Sequence, residues 1–167
     1  MDISEGYGLK MMLSKDGSKL FLQDYNFVRI IDISNIYLPV EAGRIGLDYA
    51  NTVGMSISKD EKIIYIITHD NFVSSIIARY DISSLCNPVR LTPISFHNVY
   101  AIINISDDNT FAYVSGEYGL ATYDISDTNN PILVNLYNGL QTTYYAWHMD
   151  TPIVLDENKL LVGDKNV

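Results

Sequence analysis

Short apolar segments alternate with polar clusters along the whole chain, and this pattern recurs with a period of about 45 residues. In the second copy the alternation predicts four strands, near residues 52–58, 62–69, 75–82 and 89–95. The same pattern predicts four strands within residues 9–45 and four within 100–137, and then two strands near 147–155 and 159–162. The chain is therefore predicted to be all-β, with three complete four-stranded units and one partial unit.

A triplet of Asp, Ile and Ser marks the end of the third strand in each complete unit. A proline lies seven residues after the Asp in all three copies: Asp32 and Pro39, Asp81 and Pro88, Asp124 and Pro131. The Asp is expected to accept hydrogen bonds from the backbone that follows it, and the proline fixes φ at the start of the fourth strand. These six residues are predicted to be structural anchors. One carboxylate per turn supplies too few oxygen ligands for a calcium site.

A second polar motif keeps step with the first. It begins at Ser14, Ser58 and Ser106, and its Asp16-Gly17 and Asp108-Asn109 pairs tolerate the positive φ of a hairpin turn. A four-stranded unit of this size cannot bury both faces alone, so successive units must stack. The pattern predicts β-propeller blades over residues 8–47, 52–95, 99–138 and, incompletely, 143–164, within a single domain spanning 1–167.

The residues of these motifs resemble a known repeat family. Phe27-Val-Arg-Ile-Ile-Asp-Ile-Ser34 and Gly119-Leu-Ala-Thr-Tyr-Asp-Ile-Ser126, each followed by its proline, are similar to the LVIVD repeat. Residues 14–21 resemble the hairpin of YVTN-type propellers. The resemblance covers residues 8–164, although residues 77–80 of the second copy lack the usual glycine. It implies a β-propeller and carries no catalytic residues, because the family pattern is structural.

Composition narrows the classes of partner. Hydrophobic residues make up 47% of the chain and charged residues 19%, which is typical of a globular protein. The net charge of −9 argues against nucleic acid, since an acidic surface repels phosphate. No run of about 18 apolar residues predicts membrane insertion, and no signal peptide is evident. Localisation stays open, with the cytoplasm expected for a complete chain and the cell surface or exterior for a fragment.

The sequence offers little catalytic chemistry. Three scattered histidines and the single cysteine, Cys86, form no metal-binding or nucleophilic motif, and no phosphate-binding glycine loop is present. We therefore expect no catalytic residues, no metal and no cofactor, and we favour a protein that is not an enzyme.

Aromatic, amide and imidazole side chains are concentrated in the connections between units. In a propeller these connections gather at one mouth of the channel, where they suit a sugar or peptide. The residues predicted to bind a protein or carbohydrate ligand there are Tyr49, Asn51, His97, Tyr100, Trp147 and His148. The alternative is that these aromatics only fill the wedge between blades.

Two other functions stay open on sequence grounds. A carbohydrate hydrolase or lyase would need two carboxylates about 5–10 Å apart at the mouth, and only Asp48 and Asp150 lie near it. A structural fragment of a larger surface protein is the other. Three and a half blades are fewer than the roughly four of the smallest common ring. We therefore expect either the remainder of a longer chain or a homo-oligomer to complete the ring.

Overall fold

The computed structural model describes residues 10–23, 26–47, 52–70, 74–96, 100–116, 119–137, 153–156 and 159–161. Within these ranges the chain forms strands and turns, and it contains no helix that could cross a membrane. The first eight strands are β1 (Met11–Leu13), β2 (Lys19–Gln23), β3 (Phe27–Asp32), β4 (Val40–Gly46), β5 (Thr52–Ile57), β6 (Ile63–Asp70), β7 (Ser74–Asp81) and β8 (Val89–Arg90). The others are β9 (Ile94–Phe96), β10 (Tyr100–Ile105), β11 (Phe111–Gly116), β12 (Gly119–Asp124), β13 (Ile132–Tyr137), β14 (Ile153–Asp156) and β15 (Lys159–Leu161).

The strands form one antiparallel sheet per repeat, which confirms the predicted all-β architecture. Blade 1 has the order β1-β2-β3-β4, and blade 3 has the order β10-β11-β12-β13. Blade 2 runs β5-β6-β7-β8, with β9 also paired to β7. The strands β14 and β15 form a two-stranded sheet, so the fourth repeat is partial within the described residues.

Both faces of the middle sheet are apolar, and each is buried against a neighbouring blade. We call the face turned toward the preceding blade the leading face and the face turned toward the following blade the trailing face. The trailing face of blade 1 packs on the leading face of blade 2. This cluster comprises Phe21, Val28, Ile30 and Ile45 from blade 1 with Met55, Ile57, Ile64, Ile66, Ala78, Tyr80 and Ile82 from blade 2.

The next joint repeats this arrangement one blade further on. The trailing face of blade 2 packs on the leading face of blade 3, through Tyr65, Ile67, Ile77 and Ile94 and through Ile103, Ile105, Ala112, Val114, Ala121, Tyr123 and Ile125. Successive residues of β6, such as Ile66 and Ile67, are both fully buried, each in a different cluster. Period-two alternation thus produces two cores from one strand.

The fourth strand of blade 2 differs from the prediction of one continuous strand over residues 89–95. Two short strands, β8 and β9, pair with β7 instead, with a break between them. Pro93 lies in this break and has no N–H to offer the ladder. The fully buried Arg79 compensates for the lost pairing, since its Nε and Nη2 atoms donate to the carbonyl oxygen of Thr92 at 2.8 and 2.5 Å.

A close backbone approach joins blade 1 to the connection that follows β7. A Cβ atom added at Gly43 would lie 1.7 Å from the carbonyl oxygen of Leu85 and 2.7 Å from its carbonyl carbon. The side chain of Leu85 packs against the apolar cluster between the same two blades. Glycine at position 43 therefore allows the connection of one blade to lie on the outer strand of the blade before it.

Gly43→Ala is expected to destabilise the protein. The methyl group collides with backbone atoms that cannot move without separating the two blades, and overpacking of this kind costs about 1–3 kcal/mol. Urea unfolding of the variant measures the loss. Gly46→Ala, in the same strand, is the matched control because a Cβ atom there meets nothing within 4 Å. Equal stability of the two variants would show that the close approach at Gly43 does not exist in solution.

Candidate functional site

The antiparallel order of each blade separates its loops into two groups. The hairpin from the first to the second strand and the connection from the third to the fourth strand lie at one end, which we call the hairpin end. The connections that lead from one blade to the next lie at the opposite end, the connection end. The first strands β5 and β10 contact each other, which places the first strand of each blade on the inner side of the arc.

The predicted ligand site belongs to the connection end and is almost entirely outside the described residues. Tyr49, Asn51, His97, Trp147 and His148 lie outside them. Tyr100 is the first residue of the inner strand β10, where its backbone pairs with Gly116. The strand β9 ends one residue before His97, and β5 begins one residue after Asn51. The site therefore stays a prediction.

The Asp residues of the Asp-Ile-Ser triplets make the hydrogen bonds that the sequence predicted. The Oδ1 atom of Asp32 accepts bonds from the backbone N–H and the hydroxyl of Ser34, at 2.9 and 2.6 Å. Asp124 accepts the same pair of bonds from Ser126, and Asp81 accepts a bond of 2.8 Å from the N–H of Ser83. Hydrogen bonds to these Ser residues hold the pKa of all three carboxyls below the usual range.

The first hairpin of each blade is built from one repeated network. In blade 3 the hydroxyl of Ser106 donates to Oδ1 of Asp108 at 2.6 Å and accepts the N–H of Phe111 at 2.9 Å. Blades 1 and 2 repeat both bonds through Ser14 and Ser58. The residue after each Asp has positive φ, at 71° for Gly17, 57° for Glu61 and 60° for Asn109. Positive φ at Gly17 and Asn109 was expected from their residue types, whereas at Glu61 it was not.

The left-handed residue also joins each hairpin to the one before it. The side chain of Asn109 accepts the backbone N–H of Lys59 at 2.6 Å, and Glu61 accepts the N–H of Lys15 in the same way. An ion pair of 3.0 Å between Lys59 Nζ and Asp107 Oδ1 adds to the second link. We call these links the hairpin clasp. At both links the bonding side chain belongs to the residue with positive φ, so the clasp accounts for the strained conformation of Glu61.

A shallow cleft of about 520 Å³ lies against the clasp at the hairpin end. Its apolar part is formed by Met12, Leu13 and Ile57, and its polar part by Lys15, Ser58, Lys59, Glu61 and Asp107. All five polar residues belong to the second repeated motif, which predicted hairpin turns but not a cleft between them. The two motifs recur in phase, which indicated that the hairpins stack. A hydrogen bond from the backbone of one blade to a side chain of the next cannot be predicted from residue spacing.

The described Asp residues whose pKa is lowered accept hydrogen bonds in turns. Within the ranges that the structure covers, no three His, Cys, Asp or Glu side chains come together in a group that could hold a metal ion. The hairpin bond from Ser106, together with bonds from the side chain and backbone of Thr110, lowers the pKa of Asp108 to about 2. Carboxyls held in this way are hydrogen-bond acceptors at neutral pH and are poor general acids.

Solved structures share this arrangement of sheets. A provisionally assigned 6-phosphogluconolactonase from Bacteroides uniformis superposes with a TM-score of 0.71 at 18% identity, over 93% of this chain and 46% of that one. A protein of unknown function from Desulfotomaculum acetoxidans has a TM-score of 0.63 at 14% identity, over 76% of this chain and 41% of that one. The fold is that of a partial β-propeller.

Comparison of the sequence with known proteins assigns this chain to no family. No protein-family model matches the chain, and no curated protein matches it. A second provisionally assigned 6-phosphogluconolactonase, from Bacteroides fragilis, has a TM-score of 0.67 at 11% identity, over 80% of this chain and 40% of that one. The chain thus spans less than half the length of these three structures. At such identities the likeness shows the fold alone, and the LVIVD resemblance stays a prediction.

The turn carboxylates predict how stability depends on pH. The folded-state pKa of Asp108 is about 2, below the ordinary value of 3.8, so its contribution is fully present above the unfolded-state pKa. That contribution is lost as the pH falls from about 4 through 2. We expect the difference in unfolding free energy between the wild-type protein and Asp108→Asn to shrink between pH 5 and pH 2, as measured by urea unfolding.

Asp107→Asn is the matched control for this series. Asp107 is its chain neighbour, 83% exposed, and it is bonded to Lys59 across the surface, where ion pairs contribute little. A difference between the wild-type protein and Asp108→Asn that stays constant from pH 5 to pH 2 would contradict the role given to the carboxylate.

Proposed function

We propose that the chain is a non-enzymatic β-propeller module that binds a protein or carbohydrate partner at the connection end of its channel. The residues that would contact the ligand are Tyr49, Asn51, His97, Tyr100, Trp147 and His148. Aromatic rings beside amide and imidazole groups suit a neutral sugar or a peptide, because they combine apolar contact area with directional hydrogen bonds.

The observation that carries this proposal is the use made of the described carboxylates. Asp16, Asp32, Asp81, Asp108 and Asp124 all accept hydrogen bonds within their own turns, and these bonds lower the pKa of each one. All five lie at the hairpin end of the blades, where they stabilise loops. These five carboxylates accept hydrogen bonds in turns at the hairpin end, whereas the predicted ligand residues at the connection end carry aromatic, amide and imidazole groups. This distribution favours binding over acid–base catalysis.

The binding proposal is tested with defined probes. The purified chain is screened against an array of neutral oligosaccharides and against a displayed library of random peptides, and the best ligand is titrated by calorimetry. His97→Ala and Tyr100→Ala are expected to weaken its binding at least about tenfold, the loss of roughly 1.4 kcal/mol of contact energy. Their far-ultraviolet circular dichroism and melting temperature are expected to match those of the wild-type protein.

Lys59→Ala is the matched control, since Lys59 lies at the hairpin end. Unchanged binding by both connection variants, or loss of binding in Lys59→Ala, would contradict the proposed site. The absence of any ligand from both screens would contradict the binding function itself.

A second candidate is a hydrolase acting on a carbohydrate or a sugar lactone. Two solved structures that share the fold are provisionally assigned as 6-phosphogluconolactonases, and this likeness favours the candidate. The acidic net charge of −9 counts against a phosphorylated substrate, because it disfavours the approach of an anion.

A direct assay separates the two candidates. The purified chain is mixed with 6-phosphogluconolactone, and acid release is followed against spontaneous hydrolysis in the same buffer. We expect no acceleration. A rate that rises in proportion to protein concentration, and that a His97→Ala variant loses, would replace the binding proposal with a lactonase.

A further inference from the structure

We propose that the leading side of blade 1 is an assembly surface, and that its occupant is a blade of a second copy of this chain. We define the leading surface as Met11, Leu13 and Ile33 together with Ile36, Tyr37 and Leu38 of the connection after β3, all of which are exposed or half-buried. It is separate from the connection-end site, so the proposal does not depend on which ligand the protein binds.

The repeat supplies an internal comparison for the inner part of this surface. The residue three positions before the first Ser of each hairpin motif, and the residue one position before that Ser, both lie on the leading face. Their exposed fractions are 65% for Met11, 7% for Met55 and 2% for Ile103, and 62% for Leu13, 8% for Ile57 and 3% for Ile105. The same apolar positions are buried wherever a blade precedes them.

The Ile of the Asp-Ile-Ser triplet shows the same trend. Ile82 and Ile125 are 1% and 4% exposed and belong to the two apolar clusters between blades. Ile33, at the equivalent position in blade 1, is only half-buried. Blade 1 therefore has an apolar side chain suited to contact between blades, but the described residues do not bury that side chain completely.

The connection after β3 extends the leading surface outward. Leu85 lies four residues after Asp81, and it packs on the preceding blade with its carbonyl group over Gly43. Ile36 lies four residues after Asp32 and is 76% exposed, and its neighbours Tyr37 and Leu38 are 93% and 67% exposed. Three consecutive large apolar residues at such exposure are characteristic of a surface that another protein covers.

The way in which the other leading faces are covered indicates what covers this one. Every leading face that is covered in this structure is covered by the trailing face of another blade, so continuity with these joints favours a blade over a flat or helical partner. The Bacteroides uniformis structure is matched along 93% of this chain, which covers 46% of it. A ring of that length requires about as many further blades as one chain provides, and a second copy provides them.

Symmetry makes two copies a closed assembly. When the leading surface of each copy meets the trailing side of the other, the two joints are identical and no leading surface stays open. Such a dimer buries both leading surfaces at once. Association is then expected to stop at two chains.

The experiment measures the oligomeric state of the chain and of three variants. Sedimentation velocity between 1 and 100 µM is expected to give the mass of two chains for the wild-type protein. Met11→Glu and Tyr37→Glu each place a charge in the leading surface, and each is expected to weaken dimerisation at least about tenfold. Both side chains are highly exposed in the single chain. The melting temperature of each variant monomer is therefore expected to match that of the wild-type protein diluted until it is monomeric.

Val89→Glu is the matched control. Val89 is 53% exposed on β8, an outer strand of blade 2, and both faces of that blade are already covered by blades of the same chain. Dimers that persist in this variant and dissociate in the two leading-surface variants support the proposal. A wild-type monomer at 100 µM, an open series of larger oligomers, or dimers lost only in Val89→Glu would overturn it.

Discussion

The structure depends on one constraint, which is that a four-stranded sheet with apolar side chains on both faces must be covered on both faces. Ile66 and Ile67 are adjacent in β6 and fully buried, and they belong to opposite clusters. Alternation along the strand therefore requires two neighbouring sheets. Burial of one large aliphatic side chain stabilises a fold by about 1.5–3 kcal/mol, so the two joints of blade 2 outweigh any single polar contact in this molecule.

The polar features set the spacing and order of the stacked sheets. Gly43 lets the connection of blade 2 lie directly on blade 1. The hairpin clasp links Lys15 to Glu61 and Lys59 to Asn109, so each hairpin is aligned with the next one. Gly17, at the same position in blade 1, has no side chain with which to accept such a bond. The first blade therefore has no side chain with which to form a backward clasp, and the described residues do not cover its leading surface, so a joint there depends on apolar contact.

Much of the fold could be predicted from the sequence because its repeats are regular. The anchors at Asp32, Asp81 and Asp124 predicted both the number of blades and the bonds that hold their turns. The break beside Pro93 was missed, because a buried Arg79 that replaces ladder bonds resembles any other strand residue in sequence. The clasp at Glu61 was missed because its residue type argues against positive φ. The predicted ligand residues lie in connections without internal repetition, so no second copy constrains their placement.

The stability of this protein comes from burial between blades rather than within a blade. Leu13 and Ile57 occupy the same position in successive blades, but Leu13 is 62% exposed and Ile57 is 8% exposed. The most direct test is the urea unfolding free energy of Leu13→Ala and Ile57→Ala, measured well below 1 µM, where two copies are expected to separate. We expect a loss of about 2–5 kcal/mol for Ile57→Ala and less than about 0.5 kcal/mol for Leu13→Ala. Equal losses at the two positions would contradict it.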